Sequence, residues 1–434
     1  MNRLPPSLHW FQGLLLICGA FFVSVYQTGW ALSEIGSWSL LVWGAVVLVG
    51  LLQAWLLYRL ARAFPHKAGG TATYALELFR GRGRVLAFLS GWGYWVAWTP
   101  ATVLNSYLCA SLLESVLGTA LEPVPLALGI LALLYALNWF GLSRVVVSSY
   151  VLALLVFVPL GVLVWLAFQS VTPEKLALTL DFAQAPGWLS LLKWFFVIAW
   201  TGYGLEMISS VVAETRGDRA RPMFAWASLW SVLAFVGIPL LLALLTDWDT
   251  LSSDPFASLR PLFVRHLGEG GALILTLFLV AALLYSALAI LVPSTRTVYQ
   301  MSRDGLLPPY FATVNRYGTP QGSLVLDLLL NAGLLLAFQA RLVEILAVAN
   351  VGYMLVFVLL PVAYALHEQR SGRRAGGLER ALVAFLFVLN AAVLLLGGAA
   401  WGPFVFGAGW LLVLAGVPLY FLSLRWAGAA RSSA

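Results

Sequence analysis

The run Thr201-Gly-Tyr-Gly-Leu-Glu206 places two glycines and a carboxylate within six residues of a segment that is otherwise apolar from Leu191 to Ala213. Glycine weakens a helix, and an acid held in hydrocarbon costs about 2–3 kcal/mol or more. Both costs fall on one turn. A segment carrying them is expected to be a discontinuous helix that lines a cavity, because freed N–H and C=O groups inside a membrane are tolerated only there. Such a break can bind a substrate or ion through amide groups and half-helix dipoles. Glu206 is the expected ammonium ligand or proton carrier. Trp200, Thr201, Gly202, Tyr203 and Gly204 are expected to line the site with it, and Trp200 to gate it. The competing reading is close helix packing through small residues. The buried acid favours the site.

A second polar interruption lies far upstream, at Ser24-Val-Tyr-Gln-Thr-Gly29. Ser24, Tyr26 and Gln27 are the binding candidates there. The bland alternative is a polar helix end at the membrane surface, with Tyr26 and Trp30 as interfacial aromatics. Elsewhere the polar residues point to packing. Trp98, Thr99 before Pro100, Asn350, Gly352 and Tyr353 are expected to be helix contacts or kinks satisfied by neighbours. Asp327 is expected to pair with a loop arginine. Arg296 and Asp304 are expected in an intracellular gate network, Arg296 as a gating or coupling residue. No metal or cofactor is expected. The four histidines are scattered, and Cys18 and Cys109 sit in apolar runs. Nucleotide-binding, nucleophile-elbow and zinc-protease motifs are missing from the sequence.

The elements that must position these residues are membrane helices. Of 434 residues, 61% are hydrophobic and 10% charged, with a mean hydropathy of +0.91; a soluble protein carries about 25% charged residues. A β-barrel would alternate apolar and polar residues, whereas runs such as LLVWGAVVLVGLLQAWLL do not. Twelve helices are expected near 10–33, 37–63, 84–114, 124–143, 147–169, 188–213, 222–245, 270–298, 320–339, 342–366, 380–398 and 402–424. With the N-terminus in the cytoplasm, 20 of the 25 Lys and Arg residues fall inside and 5 outside. That is the positive-inside pattern, and it accounts for the net charge of +7 without nucleic acid. Both termini are thereby expected in the cytoplasm of a multi-pass cell-membrane protein. Arg3 and the run Leu14–Val23 faintly resemble a secretory signal, but removing them would reverse every later loop and the charge split with it.

The two interruptions fall five helices apart, as in a five-helix unit repeated with inverted topology. Residues 1–368 are expected to form a ten-helix transport core, repeat one at about 10–169 and repeat two at about 188–366. Residues 369–434 hold a basic cytoplasmic linker and helices 11 and 12, which lie outside the repeat and are candidates for a homodimer contact.

Three stretches carry a resemblance to a known family. RLARAFPHKAGGTATYALELFRG (59–81) offers Pro65, Gly69, Gly70 and Tyr74, followed by GWGYW (91–95). GLEMISSVVAETRGDRARP (204–222) offers Gly204, Glu206, Glu214 and Pro222. SRDGLLPPYFATVNRYGTPQGS (302–323) follows Arg296 and Tyr299. Together they resemble the amino acid–polyamine–organocation transporter superfamily, which has the leucine-transporter fold. The resemblance implies a secondary transporter whose discontinuous helices 1 and 6 flank the site, with helices 1, 2, 6 and 7 rocking against a scaffold of 3, 4, 8 and 9. It also implies an amino acid substrate, carried with protons or by exchange. Three departures stand out. The glycine-rich break of the family's first helix should cover about Phe22 to Gly29, yet only Gly29 is kept. Either Ser24, Tyr26 and Gln27 take over part of its carboxylate binding, or the substrate lacks a carboxylate, as a polyamine or other organic cation does. The acid usual at the end of helix 2 is Arg59, and the lysine that some proton-coupled members carry in helix 5 is missing. An enzyme or a non-transporting sensor is the distant alternative: the clustered polar residues of the first and the signalling domain of the second are not seen.

Overall fold

The computed structural model describes residues 8–20, 24–65, 67, 70–79, 81–117, 122–217, 220–338, 342–373 and 375–432. Sequence readings that rest on Arg3, Phe22, Val23, Gly69, Arg80, Arg219, Arg341 and Arg374 lie outside the described residues.

The apolar runs fold as helices because a backbone without water must bond internally. The first run is two helices, α1 (Trp10–Cys18) and α2 (Ser24–Ile35), and α3 (Trp38–Ala63) follows. A short α4 (Thr71–Leu78) leads to the long α5 (Arg84–Leu117), then α6 (Pro123–Trp139), α7 (Leu142–Ser170) and a surface turn, α8 (Pro173–Thr179). The glycine-bearing run is α9 (Trp188–Gly202) and α10 (Met207–Val211). Next come α11 (Ala220–Val232) and α12 (Ile238–Leu245), joined by a π-helical turn, Leu233–Gly237. Two short helices, α13 (Trp248–Ser253) and α14 (Pro255–Leu267), are capped by Asp247 and Asp254. The chain ends with α15 (Glu269–Arg303), α16 (Gln321–Phe338), α17 (Leu342–Arg370), α18 (Gly377–Ala392), α19 (Pro403–Leu414) and α20 (Val417–Ser432).

Among the described residues there is no strand, only two isolated bridges, Leu8 with Thr215 and Val314 with Pro320. Among the described residues, eight helical stretches are long and apolar enough to cross a membrane. Of these, Trp188–Glu214 has 94% of its apolar window buried, whereas Gly377–Gly397 and Pro403–Leu424 have 28% each. The glycine-bearing segment therefore sits at the centre of the molecule, and the C-terminal helices turn most of their surface outward.

Helix α5 reaches the centre through an absence of side chains. A Cβ on Gly93 would lie 2.9 Å from the carbonyl oxygen of Gly352 on α17, and one on Gly352 would lie 2.5 Å from that of Gly93. The two backbones touch, as small residues allow between membrane helices, and Tyr94 and Tyr353 are carried in beside each other. We expect Gly352→Ala to push the helices apart at a cost of about 1–3 kcal/mol, read as a lower melting temperature in detergent. An unchanged melt would mean that the contact is looser than this.

Candidate functional site

The run containing Glu206 is interrupted, and the interruption is a tightening rather than an unwinding. Helix α9 ends at Gly202, Tyr203 caps it with φ −84° and ψ 1°, and Gly204–Glu206 form a 3₁₀ turn before α10. Such a turn inside a helix often marks a hinge. Neither Gly202 nor Gly204 is among the positive-φ glycines. Close approach explains Gly202 instead: a Cβ there would meet Val46 of α3 at 2.4 Å. Gly70, by contrast, does need its freedom. Its φ is +56°, and it lets the start of α4 fold onto α10, where the Thr71 N–H donates to the Ser209 hydroxyl at 3.1 Å.

Glu206 is fully buried. Its Oε1 accepts a hydrogen bond from the Tyr94 hydroxyl at 3.3 Å, while Oε2 makes no hydrogen bond of full geometry among the described residues. Around it stand aromatic rings. Trp98 lies edge-on to Tyr353 at 5.3 Å and against Trp200 at 4.8 Å, and Tyr94 is 6.3 Å from Tyr353. The Tyr353 hydroxyl and Trp98 indole N–H are likewise buried without a hydrogen bond of full geometry, and both stand beside the Glu206 carboxylate. A carboxylate with no cation beside it, set among these rings, can take an ammonium group: the acid supplies the charge and the rings supply cation–π attraction.

The other candidates divide. Trp200 is held by its own hydrogen bond, indole to the Ala97 carbonyl at 3.1 Å, so it is fixed to α5 as a wall of the site. Tyr203 donates to Asn390 of α18 at 3.1 Å. Ser24–Gly29, expected as an interruption, is helical and opens α2. Its polar side chains find partners without unwinding. Thr28 donates to the Ser24 carbonyl at 2.7 Å, and Gln27 Nε2 donates to the Val197 carbonyl at 3.3 Å while its Oε1 accepts from Thr201. Gln27 and Thr201 thus join α2 to α9 instead of facing Glu206. Tyr26 packs on Trp30, with ring centroids 6.4 Å apart.

Two networks surround this centre. Arg296 makes a buried ion pair with Glu214, Nε to Oε1 at 2.8 Å, and Asp304 accepts from Lys67 at 2.8 Å and from Gln300. Burial holds the Asp304 carboxyl above its ordinary range, with Lys67 opposing the shift. Asp327 does not pair with a loop arginine. Its buried carboxylate takes hydrogen bonds from Trp95, Ser294 and Tyr135. By sequence, Trp98 and Tyr353 read as packing and Tyr94 as part of the GWGYW motif. The i, i+4 spacing of Tyr94 and Trp98 was the available signal; nothing local announces that Tyr353 meets them.

Membrane-length helices around a central, broken segment with a buried acid define a multi-pass membrane protein. The family model described as amino acid permease matches residues 8–422, and the chain belongs to that family. Its relatives include an arginine/ornithine antiporter of Latilactobacillus sakei, 24% identical over 357 residues, covering 74% of this chain and 71% of that one. A polyamine transporter of Oryza sativa subsp. japonica is 25% identical over 335 residues, 75% and 60% of the two chains. An L-asparagine permease of Mycobacterium tuberculosis is 25% identical over 318 residues, 69% and 63%. The chain spans about two thirds of the length of the curated relatives it matches, 64% for an Escherichia coli one.

Proposed function

We propose that this protein is a secondary transporter of the cell membrane that carries amino acids or related amines by alternating access, with protons or in exchange. The reading rests on one observation: among the described residues the Glu206 carboxylate is buried with no cation beside it, its Oε2 makes no hydrogen bond of full geometry, and Trp98, Tyr94 and Tyr353 stand around it. An uncompensated buried charge is expensive, and a substrate ammonium is the group that would relieve it. In this reading twelve spans form a five-plus-five inverted repeat with two added helices, and both termini are cytoplasmic. The relatives named as antiporters and permeases support the class.

A second reading, a polyamine or other organic cation as substrate, draws on α2. With Ser24–Gly29 helical, the backbone offers fewer free amides to a carboxylate than an unwound break would. The relative named as a polyamine transporter supports it.

Uptake of labelled arginine, ornithine, asparagine and putrescine into proteoliposomes, with and without a pH gradient or internal substrate, tests both. Uptake of diamines but not amino acids would select the second reading. No uptake, and no rise in melting temperature with any of the four, would refute both.

A further inference from the structure

We propose that Asp327 is a positioning residue: it fixes the rotation of α5 and so holds Tyr94 and Trp98 against Glu206. The proposal rests on the reading that those two rings wall a binding site. Asp327 lies on α16 and is fully buried. Its Oδ1 accepts from the Trp95 indole of α5 at 2.6 Å and from the Ser294 hydroxyl of α15 at 2.7 Å. Its Oδ2 accepts from the Tyr135 hydroxyl of α6 at 2.6 Å. One carboxylate thus gathers three further helices. Asn331, one turn along α16, donates to the Tyr135 oxygen at 2.7 Å and completes the cluster.

Hydrogen bonds to an ionised acceptor are short and strong, and in a dry interior a broken one is not replaced by water. Helix α5 needs such a fastening. Pro100 lies within it, and proline removes one backbone hydrogen bond and crowds the carbonyl four residues earlier. That carbonyl belongs to Val96, in the turn that carries the site residues. Trp95 and Thr99 share the face turned to Asp327, with the Thr99 hydroxyl 3.2 Å from Oδ1. Tyr94 and Trp98 stand one residue earlier at the same i, i+4 spacing, about 100° around the helix. A rotation that loosened the first pair would swing the second away from Glu206. Asp327 differs from Glu206 in having donors on both oxygens; it offers no open position to a substrate.

The test uses 5-fluorotryptophan-labelled protein, with the Trp98 fluorine resonance assigned by Trp98→Phe. Tyr135→Phe and Ser294→Ala each remove one donor from a helix other than α5. The Trp98 resonance is expected to move by more than its line width, or to split, in both variants. Ser294→Thr, which keeps the hydroxyl, is expected to restore it. In proteoliposomes the KM for labelled arginine should rise several-fold with little change in kcat. If both variants melt earlier while the Trp98 resonance and the KM stay in place, Asp327 only holds helices together and the proposal is wrong. If the wild-type protein carries no arginine, the fluorine resonance decides the positioning role by itself.

Discussion

Glu206→Gln is expected to remove accumulation of amine substrates while leaving the fold intact. Glutamine has nearly the same shape, and its Oε1 can still accept from Tyr94, whose hydroxyl lies 3.3 Å from the native Oε1. The charge disappears, and with it the attraction for an ammonium group among Trp98, Tyr353 and Trp200. Removing one partner of a buried charge pair costs about 2–5 kcal/mol, so affinity should fall by roughly 30-fold or more. The variant also separates the two roles open to Glu206. A pure ammonium ligand would show lost binding at every pH. A proton carrier would show retained exchange but no accumulation driven by a pH gradient, since exchange between bound substrates needs no proton. Melting curves with and without substrate, alongside uptake, read both. Wild-type affinity together with wild-type gradient-driven uptake would leave Glu206 with neither role.

The helical membrane class and the break at the Glu206 turn were legible because each depends on local composition. Apolar runs of span length have few alternatives to helix, and Gly202, Gly204 and Glu206 sit within five residues. What could not be read was which way side chains turn. Ser24, Tyr26 and Gln27 suggested a cavity, but Gln27 bonds to Val197 and Thr201 of α9 and Tyr26 packs on Trp30, so polarity inside an apolar run marked helix contacts at those two positions. Asp327 failed for a related reason. An acid near a helix start suggested an arginine, whereas its donors come from the neutral side chains at positions 95, 99, 135, 294 and 331. Neutral donors leave no charge pattern in a sequence. Tyr353 joins the site only because Gly93 and Gly352 let α5 and α17 touch, a pairing across more than half the chain that no periodicity encodes.

The largest effect on stability is expected at Arg296. Its Nε donates to Glu214 Oε1 at 2.8 Å and its Nη2 to Oε2 at 3.4 Å, with both side chains only 2% exposed. The same glutamate sits where the central segment meets the N-terminal residues: the Leu8 N–H donates to the Glu214 carbonyl, and the Arg216 N–H to that of Leu8, each at 2.9 Å. Arg296→Met would strand a buried carboxylate, at about 3–5 kcal/mol. Glu214→Gln would strand the guanidinium in the same way. The pair Arg296→Met with Glu214→Leu strands nothing, and apolar replacement of a buried ion pair is often neutral or better. The double variant should therefore melt near the wild-type temperature, with both single variants well below it. Function should follow a different order. If the pair closes the inner end of the path, the stable double variant will leak substrate down its gradient without coupling, which flux from preloaded proteoliposomes would record. Single variants that cost less than about 1 kcal/mol, as exposed pairs do, would show that Arg296 and Glu214 are not held as tightly as the geometry implies. A double variant that melts normally and transports with full coupling would remove the gate role while keeping the stability argument.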